Sequence, residues 1–176
     1  MTLKKLLYTI TITLLFTACV APTMMTINQE TVDAKYTKTY NSDMEKTLTA
    51  IKAAITELDW VLLEEHRNVL KRLKNGKQSW HVETKKAFYA KSDYKYSWSV
   101  VAPKTVVDDL IFLKLRTPMS VTSYGAKLYV GVSLKKGKVS IRYSASTNQS
   151  YEREKLLDYL SNLSLKVEEK LQLLQP

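Results

Sequence analysis

Residues 121–145 read VTSYGAKLYVGVSLKKGKVSIRYSA, and this stretch decides the fold because it contains two alternating segments around a glycine-bearing turn. Gly137 tolerates the positive φ that a tight turn requires. Apolar residues recur at every second position, as in a half-buried strand, with Arg142 on the outer side. The predicted inner positions are Tyr124, Ala126, Leu128, Val130, Val132, Leu134, Val139, Ile141, Tyr143 and Ala145. The stretch predicts an antiparallel hairpin that forms the middle of a sheet.

Further strands are predicted upstream of this hairpin. One begins at Trp60 and continues weakly towards Leu73, where Asn75-Gly76 is a strong turn signal. Residues 80–84 and residues 94–100 then alternate apolar and polar side chains. Short turns separate these segments, so they are expected to be antiparallel neighbours.

The segment between Pro103 and Pro118 is apolar but has no clean alternation. It is predicted to be a loop with a short helix. Two placements are open for its apolar part, Val106 to Leu115: it is tucked over the sheet edge, or it is exposed for a partner. The tucked placement is favoured because large exposed apolar patches are uncommon on soluble domains.

Two amphipathic helices flank the strands. The first begins with the capping box Ser42 to Glu45, and the last begins with Ser150 as its N-cap. Each carries one apolar stripe at helical spacing, which predicts packing on the sheet. The stripes are Met44, Leu48, Ile51, Ile55 and Leu58 in the first helix, and Leu156, Leu160, Leu163, Val167, Leu171 and Leu174 in the last.

These elements predict a single α+β domain over residues 42–176. It is a two-layer sandwich, with an antiparallel sheet of about four to six strands and both helices on one face. The order of helix, tryptophan-led strand, meander and closing helix resembles several small bacterial envelope lipoproteins of undefined function. In architecture alone it also resembles helix-grip domains in lipoproteins of outer-membrane assembly machinery. That resemblance assigns no functional residue.

The first eighteen residues have the layout of an export signal, since Lys4 and Lys5 precede an apolar run too short to span a bilayer. Phe16-Thr17-Ala18-Cys19 resembles the lipobox of bacterial lipoproteins. The resemblance implies cleavage before Cys19 and acylation of that residue with palmitate-like chains. Since Val20 follows rather than aspartate, it also implies an outer-membrane protein facing the periplasm. The alternatives are an ordinary cleaved signal and an uncleaved anchor.

Residues 19–41 are then predicted to be a lipidated flexible tether. Loss of residues 1–18 removes two lysines and no acidic residue, so the formal charge falls from +10 to +8. This charge favours anionic partners, such as lipid head groups, lipopolysaccharide or acidic glycan. Two clusters at turns are candidate anionic-surface sites: Lys71, Arg72, Lys74 and Lys77, and Lys135, Lys136 and Lys138. The alternative is that they are solvated surface.

No enzymatic chemistry is predicted. The chain has one cysteine, two histidines (His66 and His81) and four glycines, and it contains no metal-ligand spacing, P-loop or nucleophile elbow. Asp108-Asp109 is expected to be a solvated loop. No catalytic residue, metal or cofactor is therefore expected. The aromatic residues Trp80, Tyr94, Tyr96 and Trp98 are interpreted as core rather than as a stacking platform, and no nucleic-acid partner is expected.

Two functional hypotheses remain. The leading one is a non-enzymatic accessory or scaffold of the cell envelope, anchored in the outer membrane and acting through contacts with protein, anionic lipid or anionic glycan. The alternative is a binding protein for a small or extended apolar ligand held between the helices and the sheet.

Overall fold

The computed structural model describes residues 25–73, 77–82, 98–121 and 123–174. Its strands are β1 (Met25–Thr26), β2 (Lys38–Tyr40), β3 (Val61–His66), β4 (Leu70–Arg72), β5 (Gln78–Trp80), β6 (Asp109–Arg116), β7 (Lys127–Lys135) and β8 (Lys138–Thr147). Its helices are α1 (Gln29–Tyr36), α2 (Met44–Glu57), α3 (Ser150–Arg153) and α4 (Leu156–Leu173). These elements form an α+β fold, as predicted.

One antiparallel sheet contains six strands, and five of them follow the order β1-β8-β7-β6-β3. The sixth, the short strand β2, also pairs with β8, so β1 and β2 follow one another along the same edge. Strands β4 and β5 form a separate two-stranded ribbon. The weak strand expected from Trp60 to Leu73 is therefore two strands, which lie in different sheets. The turn predicted at Asn75-Gly76 lies outside the described residues.

The central hairpin is confirmed. Strands β7 and β8 pair up to Lys135 opposite Lys138, and the two residues between them, Lys136 and Gly137, have φ values of 51° and 75°. Two positive φ angles give a turn whose twist matches that of the flanking strands. The first strand is shorter than predicted, because Tyr124 lies before it in an exposed loop.

Helices α2 and α4 pack side by side on one face of the sheet, as predicted for a two-layer sandwich. Leu128, Val130 and Ile141 are fully buried beneath them. An ion pair also links the two helices, since Glu57 contacts both Lys166 and Lys170. The bonds from these lysines lower the pKa of Glu57 to about 2.

Two predicted helix starts are wrong. Asp43, not Ser42, is the N-cap of α2, because its carboxylate accepts the backbone N–H of Lys46 at 2.7 Å. The last helix is divided: α3 begins at Ser150 and a turn at 154–155 separates it from α4.

The segment predicted to be a loop with a short helix is strand β6, which lies between β3 and β7. Ile111, Leu113 and Leu115 face the helices, while Leu110 and Phe112 face the other side. A strand buried on both faces has no reason to alternate apolar and polar residues, and this explains the error. The apolar part of the segment is therefore buried at the centre of the sheet, except for the exposed Val106.

The second face of the sheet is also covered. A helical turn at 98–101 packs there with the β4–β5 ribbon, so the strand predicted over residues 94–100 is wrong for residues 98–100. Gly131 permits this close approach: a Cβ atom there would lie 2.2 Å from the carbonyl oxygen of Val101. Thr84, Tyr94 and Tyr96 lie outside the described residues.

The prediction of a flexible tether is wrong for residues 25–41. Val32 and Tyr36 of α1 are buried in the main core, and β2 extends the sheet. Asp33 forms an ion pair at 2.5 Å with Arg142, which lies on the outer side of β8, as predicted, but is buried because that face is covered. Burial of Asp33 opposes ionisation, but hydrogen bonds from Arg142 and Gln29 hold its pKa below the usual value.

Candidate functional site

The first lysine cluster lies on the β7–β8 turn. Lys135, Lys136 and Lys138 are all exposed. The turn is fixed to the segment before β6: the Lys135 ammonium lies 3.1 Å from the Thr105 hydroxyl, and the backbone N–H of Lys136 donates to the Asp108 carboxylate at 2.7 Å. The cluster therefore has a defined position on the sheet.

The second cluster lies on the β4–β5 ribbon, where Lys71, Arg72 and Lys77 are exposed. Lys74 lies outside the described residues. The ribbon contacts the same segment before β6. The Gln78 side chain donates to the Val107 carbonyl at 2.6 Å and accepts the Val107 N–H at 2.9 Å.

Residues 105–108 thus contact both hairpins, and Asp108 also donates its backbone N–H to Leu134 at the end of β7. Both basic clusters therefore lie at one end of the sheet, which we call the hairpin end. The sequence predicted the two clusters but not their proximity, because a contact between segments about thirty residues apart leaves no local pattern.

An open cleft of about 560 Å³ lies at the hairpin end, on the helix side. It is bounded by the start of α2, the end of α4 and the β7–β8 turn. Its lining is mainly apolar, although Asp43 and Lys46 contribute charged groups. The lining residues are Tyr40, Asn41, Ser42, Asp43, Met44, Lys46, Leu134, Gly137, Leu171 and Leu174. One sequence feature is consistent with the cleft: the apolar stripe of the last helix continues to Leu174, which lines it.

The opposite end of the sheet, which we call the loop end, consists of the loop 117–126 and α3. Glu152 is buried there and accepts hydrogen bonds from the Ser123 hydroxyl at 2.8 Å and the Tyr159 hydroxyl at 2.9 Å. Burial, together with the bond to Glu152, raises the pKa of Tyr159 to about 12. These bonds attach the loop to the helix layer.

The two histidines lie among other residues. His66 bonds Glu64 at 2.9 Å and packs its ring against Trp98, whereas His81 is exposed. Asp108 and Asp109 bind different backbone N–H groups, of Lys136 and Leu110. Within the described ranges, no three histidine, cysteine or acidic side chains are grouped so that they could hold a metal ion.

Of the four aromatic residues considered as a stacking platform, the structure describes Trp80 and Trp98, and both pack in the core, as predicted. Trp98 is fully buried on the second face, where it contacts Phe112 and Tyr129, and Trp80 packs against the same cluster. The Trp98 ring is therefore not available for stacking on a ligand, and Trp80 is half-buried by its contact with Phe112.

The site at which acylation is expected, Cys19, lies outside the described residues, and none of the helices in the described part of the chain is long and apolar enough to cross a membrane. The candidate binding surface is the hairpin end, because it carries both basic clusters and the cleft. No protein-family model matches the chain, and no curated protein or solved structure is significantly similar to it.

Proposed function

We propose that the chain is a lipoprotein of the outer membrane that faces the periplasm and acts, without catalysis, as a scaffold that holds anionic glycan. Cys19 carries the lipid, and the hairpin end binds the glycan. One observation supports this assignment most. Both basic hairpins lie at the end of the sheet opposite to Met25, the first described residue.

The dimensions of the sheet favour a partner away from the anchoring membrane. Met25 pairs with Thr147 at one end of β8, and Lys138 is at the other end, about 30 Å away for a strand of ten residues. Residues 19–24 span at most about 22 Å. The anchor therefore reaches the loop end more readily than the hairpin end, and glycan is favoured over the head groups of the same membrane.

Several lysines together give the hairpin end its binding capacity. A single exposed pair contributes little, and its field is screened beyond about 8 Å at physiological salt. Six exposed cations, on the β4–β5 ribbon and the β7–β8 turn, share one supporting segment and act on the same polymer. Glycan strands with carboxylate-bearing peptides present repeated negative charges, and this repetition suits a surface of weak sites.

Cosedimentation of the full-length, processed protein with isolated peptidoglycan sacculi tests the glycan assignment. In detergent without phospholipid, the variant K135E/K136E/K138E is compared with K35E/R153E/K155E, which has the same net charge but is unchanged at the hairpin end. Since each lysine near an anionic surface contributes about 1 kcal/mol, the hairpin variant should bind about 100-fold more weakly at low salt. Equal losses in both variants, or none in either, would contradict the assignment.

The anchor is tested by the intact mass of the membrane-extracted protein. The mass should exceed that of residues 19–176 by the acyl groups, and Cys19→Ala should accumulate as unprocessed precursor. A mass equal to the bare polypeptide would refute the lipid anchor.

The cleft favours a second candidate function, the binding of an apolar ligand between the helices and the sheet. Its volume of about 560 Å³ lies within the range of about 300–1,000 Å³ that is typical of small-molecule sites. Palmitate is a suitable probe. Leu174→Trp should fill the cleft and abolish palmitate binding with an unchanged melting temperature; no binding to the parent protein would exclude this candidate.

A further inference from the structure

The loop end carries a group of exposed apolar side chains that the proposed function does not use. Val121 is fully exposed at the tip of the loop 117–126, and Tyr124 is 79% exposed. Met119 and Tyr151 are each about half exposed. We call these four residues the loop-end patch. Single exposed apolar residues are common, but a group on one loop and the adjoining helix α3 indicates a surface that contacts something apolar.

Hydrogen bonds hold the loop-end patch in place. The backbone N–H of Ser120 donates to the Ser123 carbonyl at 2.9 Å, and this bond closes the turn that presents Val121. The backbone N–H of Tyr124 donates to the Gln149 side chain at 3.1 Å. The Ser123 hydroxyl bonds the buried Glu152. The apolar side chains are therefore exposed on a supported loop.

The chain enters the domain beside this patch. Met25 pairs with Thr147, and the Thr147 hydroxyl accepts the backbone N–H of Gln149 at 3.1 Å. Gln149 is the residue that bonds Tyr124. Strand β1 also contacts α3, which carries Tyr151. Cys19 precedes Met25 by six residues, so a lipid on Cys19 would enter its bilayer within about 22 Å of the patch.

We propose that the loop-end patch lies in the head-group region of the bilayer that holds the Cys19 lipid, with Val121 and Met119 directed to the acyl chains. This inference rests on the lipid anchor of the proposed function. It adds a second contact, which fixes the orientation of the domain so that the hairpin end is directed away from the membrane.

The chemistry of the patch fits a phospholipid interface. Tyrosine is enriched there because its ring is apolar and its hydroxyl is polar. The exposed Arg153 and Lys155 flank Tyr151, and the Lys155 ammonium lies 5.9 Å from the centre of its ring. These cations can pair with lipid phosphates, although Glu154 between them offsets part of their charge.

Fluorescent labelling of the full-length protein in vesicles tests the proposal. Val121→Cys and, as a matched control, Lys136→Cys at the hairpin end are labelled with an environment-sensitive thiol dye. Each protein is reconstituted into phosphatidylethanolamine–phosphatidylglycerol vesicles with or without a nitroxide on the lipid. We expect a blue shift and quenching for the dye at position 121 and neither effect at position 136.

The same samples separate failure of the anchor from failure of the patch. A lipidated Cys19 takes up no dye, so one dye per chain supports the anchor. Two dyes per chain refute the anchor and with it the premise of this proposal, whereas one dye per chain without quenching at position 121 refutes the patch alone. Met119→Cys replaces Val121→Cys if the latter melts below the parent. Equal responses at both ends, or no quenching at position 121 or 119, would overturn the proposal and leave a protein as the occupant of the patch.

Discussion

The hairpin end and the loop end terminate the same strands, yet one exposes lysines and the other exposes valine, methionine and tyrosine. The core does not cause this difference, because the buried positions of β7 and β8 are apolar along both strands. The exposed side chains at the two ends are not needed to fill the core, so they can be selected for what lies outside the protein. The comparison is the basis of our proposal that the domain meets a polar partner at one end and an apolar partner at the other.

The largest expected loss of stability comes from a substitution in the helix layer, which supports both ends of the sheet. Leu160 is fully buried in α4, so Leu160→Asp places an unpaired carboxylate in the core and should remove several kcal/mol of a stability of about 5–15 kcal/mol. Leu165→Asp on the exposed face of the same helix is the control and should change stability by less than about 0.5 kcal/mol. Urea unfolding followed by circular dichroism measures both. Similar curves for the two variants would show that α4 is not docked.

The next effect concerns the buried pair of Asp33 and Arg142, which attaches α1 to the middle of β8 between the two ends. Breaking a buried pair costs about 3–5 kcal/mol, and since the side chains are 18% and 10% exposed we expect about 3 kcal/mol for Asp33→Asn. Asp158→Asn, at an exposed position, should have little effect.

The stabilisation that Asp33 and Arg142 provide depends on pH. The folded protein lowers the pKa of Asp33, so the stabilisation is present above the usual aspartate range and is lost as the pH falls below about 3.9 towards the lower pKa of the folded state. Stability measured from pH 7 to pH 2 should fall less steeply for Asp33→Asn than for the parent. Parallel curves would contradict the role given to this pair.

A smaller loss of stability is expected from a substitution that disturbs the covering of the second face of the sheet. A Cβ atom at position 131 would clash with the Val101 carbonyl, so Gly131→Ala should cost about 1–3 kcal/mol through displacement of the 98–101 turn. Gly137→Ala meets no neighbour and strains only the positive φ, which costs about 1–2 kcal/mol. Equal chemical-shift changes around Trp98 in the two variants would show that Gly131 does not support this turn.

The smallest effect concerns stability at the two ends themselves. Lys136→Glu and Val121→Ser change exposed side chains, so each should alter the free energy of unfolding by less than about 0.5 kcal/mol. Thermal melting measures this directly. A larger loss in either variant would show that the residue supports the fold rather than an external contact.

Local periodicity was sufficient to predict the β7–β8 hairpin and the two long helices. Each long helix has one buried and one exposed face, and the hairpin carries polar residues such as Ser133, Arg142 and Ser144 on its second face although that face is covered. Local periodicity failed for β6, which is buried on both faces, and for α1, where Val32 and Tyr36 are the only buried positions of a short helix. For the candidate site, the lysine clusters were visible in the sequence. Their common location, the cleft and the loop-end patch depend on contacts between distant segments, such as Gln78 with Val107 and Gln149 with Tyr124.

We propose that the two ends of the domain meet different partners. Photocrosslinking in living cells distinguishes these partners, with the same benzophenone amino acid placed at Val121 in one protein and at Lys136 in another. We expect phospholipid adducts at position 121 and glycan adducts, released by muramidase digestion, at position 136. Adducts of the same class at both positions would contradict the proposal.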